Sequence, residues 1–182
     1  MRIKNILKSG GVILRQIELA DCTTDYVNWL NDVEVNRYLE TRWSRQTLQT
    51  VKKFVSDQLD SEHSILLAIV LPDDRRHIGN IKLGMMNKHH HFADISYFIG
   101  DKSMWGKGIA TKCINMISDY GIHSLNLHRI EAGAYAANEG SWRALEKNGF
   151  VREATFRARV ISENDYMDSY RYGLLAEEYK MI

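Results

Sequence analysis

The sequence predicts a mixed α/β fold, and three observations carry that expectation. Short apolar runs, several alternating with period two, are interspersed with segments whose apolar residues recur every three or four positions. A strand–helix–strand unit between Ala93 and Tyr135 requires at least one crossover connection. The 182 residues, 45% hydrophobic and 26% charged, suffice for one ordinary core, and no repeat, low-complexity tract or Gly/Ser linker divides them. One domain over residues 1–182 is expected.

The elements follow in order. Residues 12–17 read as a first strand. Asp21 is placed to cap a short helix carrying Tyr26, Val27, Trp29 and Leu30. Ser44 is expected to cap a second helix, with Leu48, Val51, Phe54, Val55 and Leu59 on one stripe. The run 65–71 reads as a buried strand stopped by Pro72-Asp73-Asp74. Strands near 78–85 and 93–99 come next, and Gly100-Asp101 ends the second. A helix over about 107–120 aligns Ile109, Ala110, Cys113, Ile114, Ile117 and Tyr120. A strand at 129–135, a helix at 141–148 ended by Gly149, and a hairpin from 150 to 175 turning near 162–165 complete the chain.

Composition excludes several classes of function. With 24 Lys+Arg against 23 Asp+Glu, the formal charge of +1 gives no field to gather nucleic acid or acidic lipid. The longest aliphatic run, 65–71, falls far short of the roughly 20 residues of a membrane helix. Arg2, Lys4 and Lys8 are not followed by the apolar stretch of a signal peptide. Cys22 and Cys113 are too few for a disulfide scaffold and indicate a reducing compartment, so a cytoplasmic protein is expected.

The stretch Trp105-Gly106-Lys107-Gly108-Ile109-Ala110 lies between a strand and a long helix. Its glycines allow a tight turn and close ligand approach, and the first-turn amides behind them suit a phosphate or pyrophosphate. Two familiar phosphate loops fail here. A triphosphate loop needs Gly at 101 and Ser or Thr at 108, which are Asp101 and Gly108; a dinucleotide fingerprint needs Gly or Ala at 111, which is Thr111.

The segment resembles instead the acetyl-CoA loop of the GNAT superfamily of N-acetyltransferases, Arg/Gln-x-x-Gly-x-Gly/Ala. Gly108 and Ala110 fill its last two positions, and Trp105 replaces the Arg or Gln. Residues 138–150, Asn138 through Ser141 to Glu146-Lys147-Asn148-Gly149-Phe150, resemble the family's Asn-x-x-Ser/Ala…Glu-Lys-x-Gly-Phe segment. The stretch His128 to Glu131, Glu153, Asp168 and the Trp29-Leu30-Asn31-Asp32 region look like the branch containing ribosomal-protein N-terminal acetyltransferases. The Gly79 to Leu83 strand is similar to one in acetyltransferases of surface-polysaccharide pathways.

The resemblance implies one GNAT-type domain: a mixed, mostly antiparallel sheet of about seven strands flanked by about four helices. It implies acetyl-CoA as donor and direct transfer to a primary amine in a ternary complex. The strands at 93–99 and 129–135 would splay, with the pantetheine arm against Phe98 and Ile99. The amides of Trp105, Gly106, Lys107, Gly108, Ile109 and Ala110 would hold the pyrophosphate, and Asn138 would contact the cofactor. Dimers are frequent in the family, so a homodimer is a possible partner state.

Transfer needs a neutral nitrogen, stabilisation of the tetrahedral oxyanion and a proton for the leaving thiolate. Many family members use a Tyr seven residues after the Asn as acid; here that position is Leu145. The ribosomal branch has a Ser three after the Asn, which makes Ser141 the expected acid; the alternative is a plain hydroxyl in a helix's first turn. Asp94 and Glu131 lie on the two strands flanking the cleft and are the candidate bases, or else ordinary strand-end carboxylates. Val160 stands where the ribosomal branch carries a Glu.

His89-His90-His91 is not expected to bind metal, because adjacent side chains of an extended segment point to opposite faces and no acidic or Cys partner has suitable spacing. A solvated loop is expected, with acceptor lining as the alternative. Trp29, Trp43, Trp105 and Trp142 do not interleave with a basic stripe and read as core or rim. Arg37, Arg42 and Arg45 are either a solvated turn or anchors for acceptor phosphates or carboxylates. The expected acceptor is a small-molecule or peptide amine: a nucleotide-linked amino sugar ahead of a protein N-terminus, then a polyamine. A CoA-binding module without activity is the rival from another class.

Overall fold

The computed structural model describes residues 1–3, 5–162 and 165–180. Eight strands form one sheet: β1 (Leu7–Ser9), β2 (Val12–Gln16), β3 (Ile65–Val70), β4 (His77–Asn87), β5 (Phe92–Ile99), β6 (Arg129–Tyr135), β7 (Val151–Ser162) and β8 (Asp165–Leu175). Their order is β1-β2-β3-β4-β5-β6-β8-β7. Every neighbouring pair is antiparallel except β5 with β6. The helices are α1 (Thr24–Asn31), α2 (Val33–Asn36), α3 (Leu48–Asp60), α4 (Ile109–Asp119) and α5 (Glu139–Glu146). No helix among the described residues is long and apolar enough to cross a membrane.

The helices cover the two faces of the sheet unequally. Leu14, Leu67, Ile81, Ile95, Ile130, Tyr172 and Leu174 pack with Cys113, Ile114 and Ile117 of α4 and Leu145 of α5. On the other face Ile17, Leu66, Ala68 and Val70 meet Tyr26 and Leu30 of α1 and Val51 and Val55 of α3. Strand β3 is buried at all six positions, which explains why its sequence is an unbroken apolar run rather than an alternation. On that face the second cluster reaches only the end of β5, at Phe98, and around Asp94, Glu131 and Arg171 the sheet carries charged side chains instead.

Several boundaries differ from the sequence reading, each for a local reason. The eighth strand, β1, has three residues and is too short to show a period. Thr23, not Asp21, caps α1, its side chain accepting from the Tyr26 amide. Asp21 instead turns inward, 8% exposed, where Arg15 donates to both its oxygens at 2.7 and 2.6 Å and the Glu18 amide donates at 2.8 Å. Thr47, not Ser44, caps α3 through a reciprocal box with Thr50. The crossover helix begins at Ile109; α5 runs from Glu139 to Glu146 with Lys147 at its C-cap, two residues short of the expected end, and Gly149 follows it in the turn with φ +83°. The expected turn residues Glu163 and Asn164 lie outside the described residues.

The Asp21 carboxyl is pushed up by burial, but the Arg15 hydrogen bonds and the Glu18 amide outweigh this and hold it below the usual range. A folded-state pKa below the unfolded value stabilises at neutral pH, and that stabilisation is lost as pH falls through the folded value. Asp21→Asn should therefore cost about 3 kcal/mol at pH 7 in urea unfolding. The gap to the parent should close as pH falls through the lowered folded-state pKa of Asp21, below the ordinary carboxylate range.

Candidate active site

Strands β5 and β6 pair only from Phe92 with Arg129 to Ile95 with Ala132. Beyond that point Tyr97, Phe98 and Ile99 stay paired with β4, while Gly133, Ala134 and Tyr135 stay paired with β8. The two strands therefore part, and the facing edge of β5 is left without a β6 neighbour. A cavity of about 510 Å³ opens there, lined by the end of β5, the loop before α4, the first turns of α4 and α5, and α2. That is the size of a small-molecule site.

The loop wall is built from backbone. Gly106 and Gly108 have φ of +74° and +72°. A Cβ at either would meet nothing within 4 Å, so the left-handed conformation and not space demands glycine. Gly108 is the N-cap of α4, and no side chain caps that helix, which leaves its first-turn N–H groups for a ligand. Trp105 Nε1 donates to the Ile99 carbonyl at 2.9 Å, so the residue that departs from the Arg/Gln pattern ties the loop to the end of β5. Across the cavity the Asn138 side chain makes no cap bond, Lys147 just past α5 adds positive charge, and Arg143 is paired with Glu139.

An acyl-CoA fits this donor set: uncapped amides and the Lys147 ammonium for phosphates, and a free strand edge for an amide-bearing arm. Phe98, Ile99, Trp105, Gly106, Gly108, Ile109, Ala110 and Asn138 all line the cavity and would hold it. Lys107 belongs to the loop but does not line the cavity.

Ser141, the third residue of α5, also lines the cavity. Its Oγ lies 2.8 Å from the Tyr97 hydroxyl, which also donates to the Ser141 carbonyl at 3.0 Å. Tyr97 lines the cavity too, and burial pushes its phenol up to about 12. Sequence reasoning passed over Tyr97 because an aromatic residue within a strand reads as packing. The available signal was its position in the Ile95, Tyr97, Ile99 alternation facing α5. Leu145 is fully buried in the core and cannot reach the cavity.

Asp94 and Glu131 stand side by side across β5 and β6, one residue pair before the strands part. Neither lines the cavity. They alternate with the core residues Ala93, Ile95, Ile130 and Ala132, so they occupy the sheet face away from α4 and α5. Arg171 of β8 donates to Asp94 at 2.8 Å and to Glu131, and Arg129 links Glu131 at 2.8 Å to Glu153. The expectation that either carboxylate faces the cleft is thus corrected by the pleat. Their titrations diverge. Burial drives the Asp94 carboxyl up against the pull of Arg171; burial also opposes ionisation of Glu131, but two arginines hold it below its ordinary value.

On the α2 side, Glu34, Arg37 and Tyr38 line the cavity. Tyr38 donates to the Ala137 carbonyl at 3.2 Å and meets Tyr135 edge-on at 5.9 Å. Arg42 donates to the carbonyls of Arg37 and Ile161 and lies over Trp43 and Tyr135 at 4.4 and 5.2 Å. It is a strap between the α2 region and β7, neither a solvated side chain nor a free anion anchor. Arg45 is exposed. His89, His90 and His91 sit in an exposed turn away from the cavity, and no metal-binding group occurs among the described residues. Trp29 and Trp142 are half-buried, whereas Trp43 is 61% exposed.

Fold and site together define an acyl-CoA-binding α/β domain with a hydroxyl pair at its cleft. Comparison with known proteins makes the class specific. Residues 12–151 match the family model described as an acetyltransferase (GNAT) domain. The N-acetyltransferase YoaA of Bacillus subtilis, itself uncharacterised, is 31% identical, the match covering 93% of this chain and 96% of that protein. Two solved structures share the fold. Spermidine N-acetyltransferase from Vibrio cholerae, in complex with CoA and spermine, superposes with a TM-score of 0.84 at 22% identity, covering 94% of this chain and 99% of that one. RimJ from Mycobacterium smegmatis, in complex with CoA-disulfide, gives 0.80 at 21% identity, covering 96% and 87%. The chain belongs to the GNAT acetyltransferase family. It is an N-acetyltransferase, and acetyl-CoA is its acetyl donor.

Gly108→Glu tests the loop directly. It forces a side chain into left-handed backbone, costing roughly 1–2 kcal/mol, and puts a carboxylate where an anion should sit. Calorimetry should show CoA binding abolished while the thermal midpoint falls by only a few degrees.

Proposed function

We propose that the acceptor is a nucleotide-linked amino sugar and that acetyl passes to its amine directly, within a complex of both substrates. The observation that carries this reading is the pair Arg37 and Tyr38. Both line the cavity on the α2 side, with the guanidinium 5.5 Å above the ring. An exposed cation beside a half-buried aromatic ring suits a phosphorylated ligand with a ring to stack. Val160 supports the choice, because it leaves apolar the position where the resembling ribosomal branch has a carboxylate. A second reading, acetylation of a protein N-terminus, is favoured by β7, an edge strand of the sheet to which an extended peptide could be added.

Acetyl-CoA supplies the acetyl group as a thioester. Uncapped α4 amides, Asn138 and the β5 edge orient it against the cleft, and backbone N–H groups near Phe98 and Ile99 polarise its carbonyl. Ser141 gives the leaving sulfur a proton. The amine's proton leaves through water, and Asp94 and Glu131, on the opposite face of the sheet, anchor Arg171 and Arg129. Two free, buried thiols, Cys22 and Cys113, suit the reducing cytoplasm as the place of action.

Thiol release from acetyl-CoA, followed with a chromogenic disulfide, should occur with 4-amino-sugar nucleotides. It should be absent with peptides bearing free Ala or Ser N-termini and with polyamines. Release with the peptide pool alone would replace the first reading by the second. Ser141→Ala should lower kcat on the order of a hundredfold and spare CoA affinity.

A further inference from the structure

The Tyr97 hydroxyl has two acceptors on a single residue, the Ser141 carbonyl at 3.0 Å and the Ser141 Oγ at 2.8 Å, and it has one proton to give. The two possible arrangements differ in consequence. When Tyr97 donates to the carbonyl, the Ser141 hydroxyl satisfies itself by donating back to Tyr97, and its proton points away from the cavity. When Tyr97 donates to Oγ, the Ser141 proton is free to point into the cavity that both residues line. No heavy atom has to move between these states, since two O–H rotations suffice.

We propose that Tyr97 is a positioning residue, and that its hydroxyl aims the Ser141 proton at the leaving sulfur. This rests on the reading of Ser141 as the acid. The step balances as follows. The bond from the acetyl carbon to nitrogen forms and the bond to sulfur breaks with its electron pair passing to sulfur. Ser141 Oγ transfers its proton to that sulfur, and a proton from water restores Ser141 while the amine's proton leaves through water. Tyr97 keeps its own proton throughout and donates to Oγ while that oxygen carries charge. A phenol raised by burial to about 12 remains a donor across the working pH range. The pairing also supplies on β5 what α5 lacks, because Leu145 is locked in the core.

The test compares Tyr97→Phe, Ser141→Ala and the double variant. Tyr97→Phe removes one hydroxyl and retains the ring, so CoA affinity by calorimetry should stay within about twofold of the parent. Its kcat should fall roughly tenfold, the worth of one hydrogen bond. In the Ser141→Ala background the same change should have no further effect. A readout independent of turnover is the thiol pKa of bound CoA, followed by thiolate absorbance. A hydroxyl aimed at sulfur stabilises the thiolate, so both single variants should raise that pKa. A kcat loss that persists in the Ser141→Ala background, or a bound-thiol pKa unmoved by Tyr97→Phe, would overturn the positioning role. Unchanged turnover in Ser141→Ala would overturn the acid assignment itself, whatever acceptor is used.

Discussion

The site depends on a single constraint, the short parallel contact between β5 and β6. Four residue pairs hold them together, and then each strand follows a different antiparallel neighbour. The clasp is built on both faces of the sheet at the same place. Ala93, Ile95, Ile130 and Ala132 are buried in the core shared with α4 and α5. On the opposite face Arg171 ties Asp94 to Glu131 across the same strands. Small apolar residues and a guanidinium bridge thus close the sheet where β4 and β8 begin to draw the two strands apart. Without that clasp the cleft would have no fixed apex, and the residues placed around it would lose their common frame.

That geometry divides the chemistry between two faces. The cleft offers a donor mainly backbone: uncapped amides, left-handed glycines and a strand edge. Backbone is well suited to this task because its dipoles are fixed and pay no side-chain entropy on binding. Charged side chains gather on the other face, on the part of β5, β6 and β8 beyond the second apolar cluster. There the ladder from Asp94 through Arg171, Glu131 and Arg129 to Glu153 holds three carboxylates with two guanidiniums. One negative charge remains in excess, and the local environment assigns the difficulty of ionising to Asp94 and not to Glu131.

Much of this was legible in the sequence, and the limits have physical causes. The loop at 105–110 declared itself because glycine conformation is local, and the segment 138–150 through its resemblance to the family's motif. Long periodic segments such as α3 and α4 were equally plain. The caps at Asp21 and Ser44 were misread because a nearby Thr competed for each position, and Arg15, adjacent only after folding, drew Asp21 inward. The Gly79 to Leu83 strand, read as a hint about the acceptor, has an internal explanation. A Cβ at Gly79 would lie 2.3 Å from the Phe98 carbonyl, and Asn80 is buried beside His77. Those residues serve the packing of β4 on β5 and carry no information about the substrate.

The placement of Asp94 and Glu131 shows the same limit from another side. Proximity to the cleft followed from strand order, whereas facing depended on register, and a single position in a strand reverses it. Ser141 and Tyr97 illustrate the converse. Alternation put Tyr97 on the α5 face, and the first turn of α5 put Ser141 opposite it, so two residues 44 positions apart share a hydrogen bond. The acid function cannot sit one turn further along α5, because Leu145 is wholly enclosed between that helix and the sheet. A polar group there would have to be buried without partners, at a cost of several kcal/mol. Core packing therefore leaves the helix's first turn as the place on α5 where a cavity-facing hydroxyl can stand, held by a neighbour whose own proton burial retains.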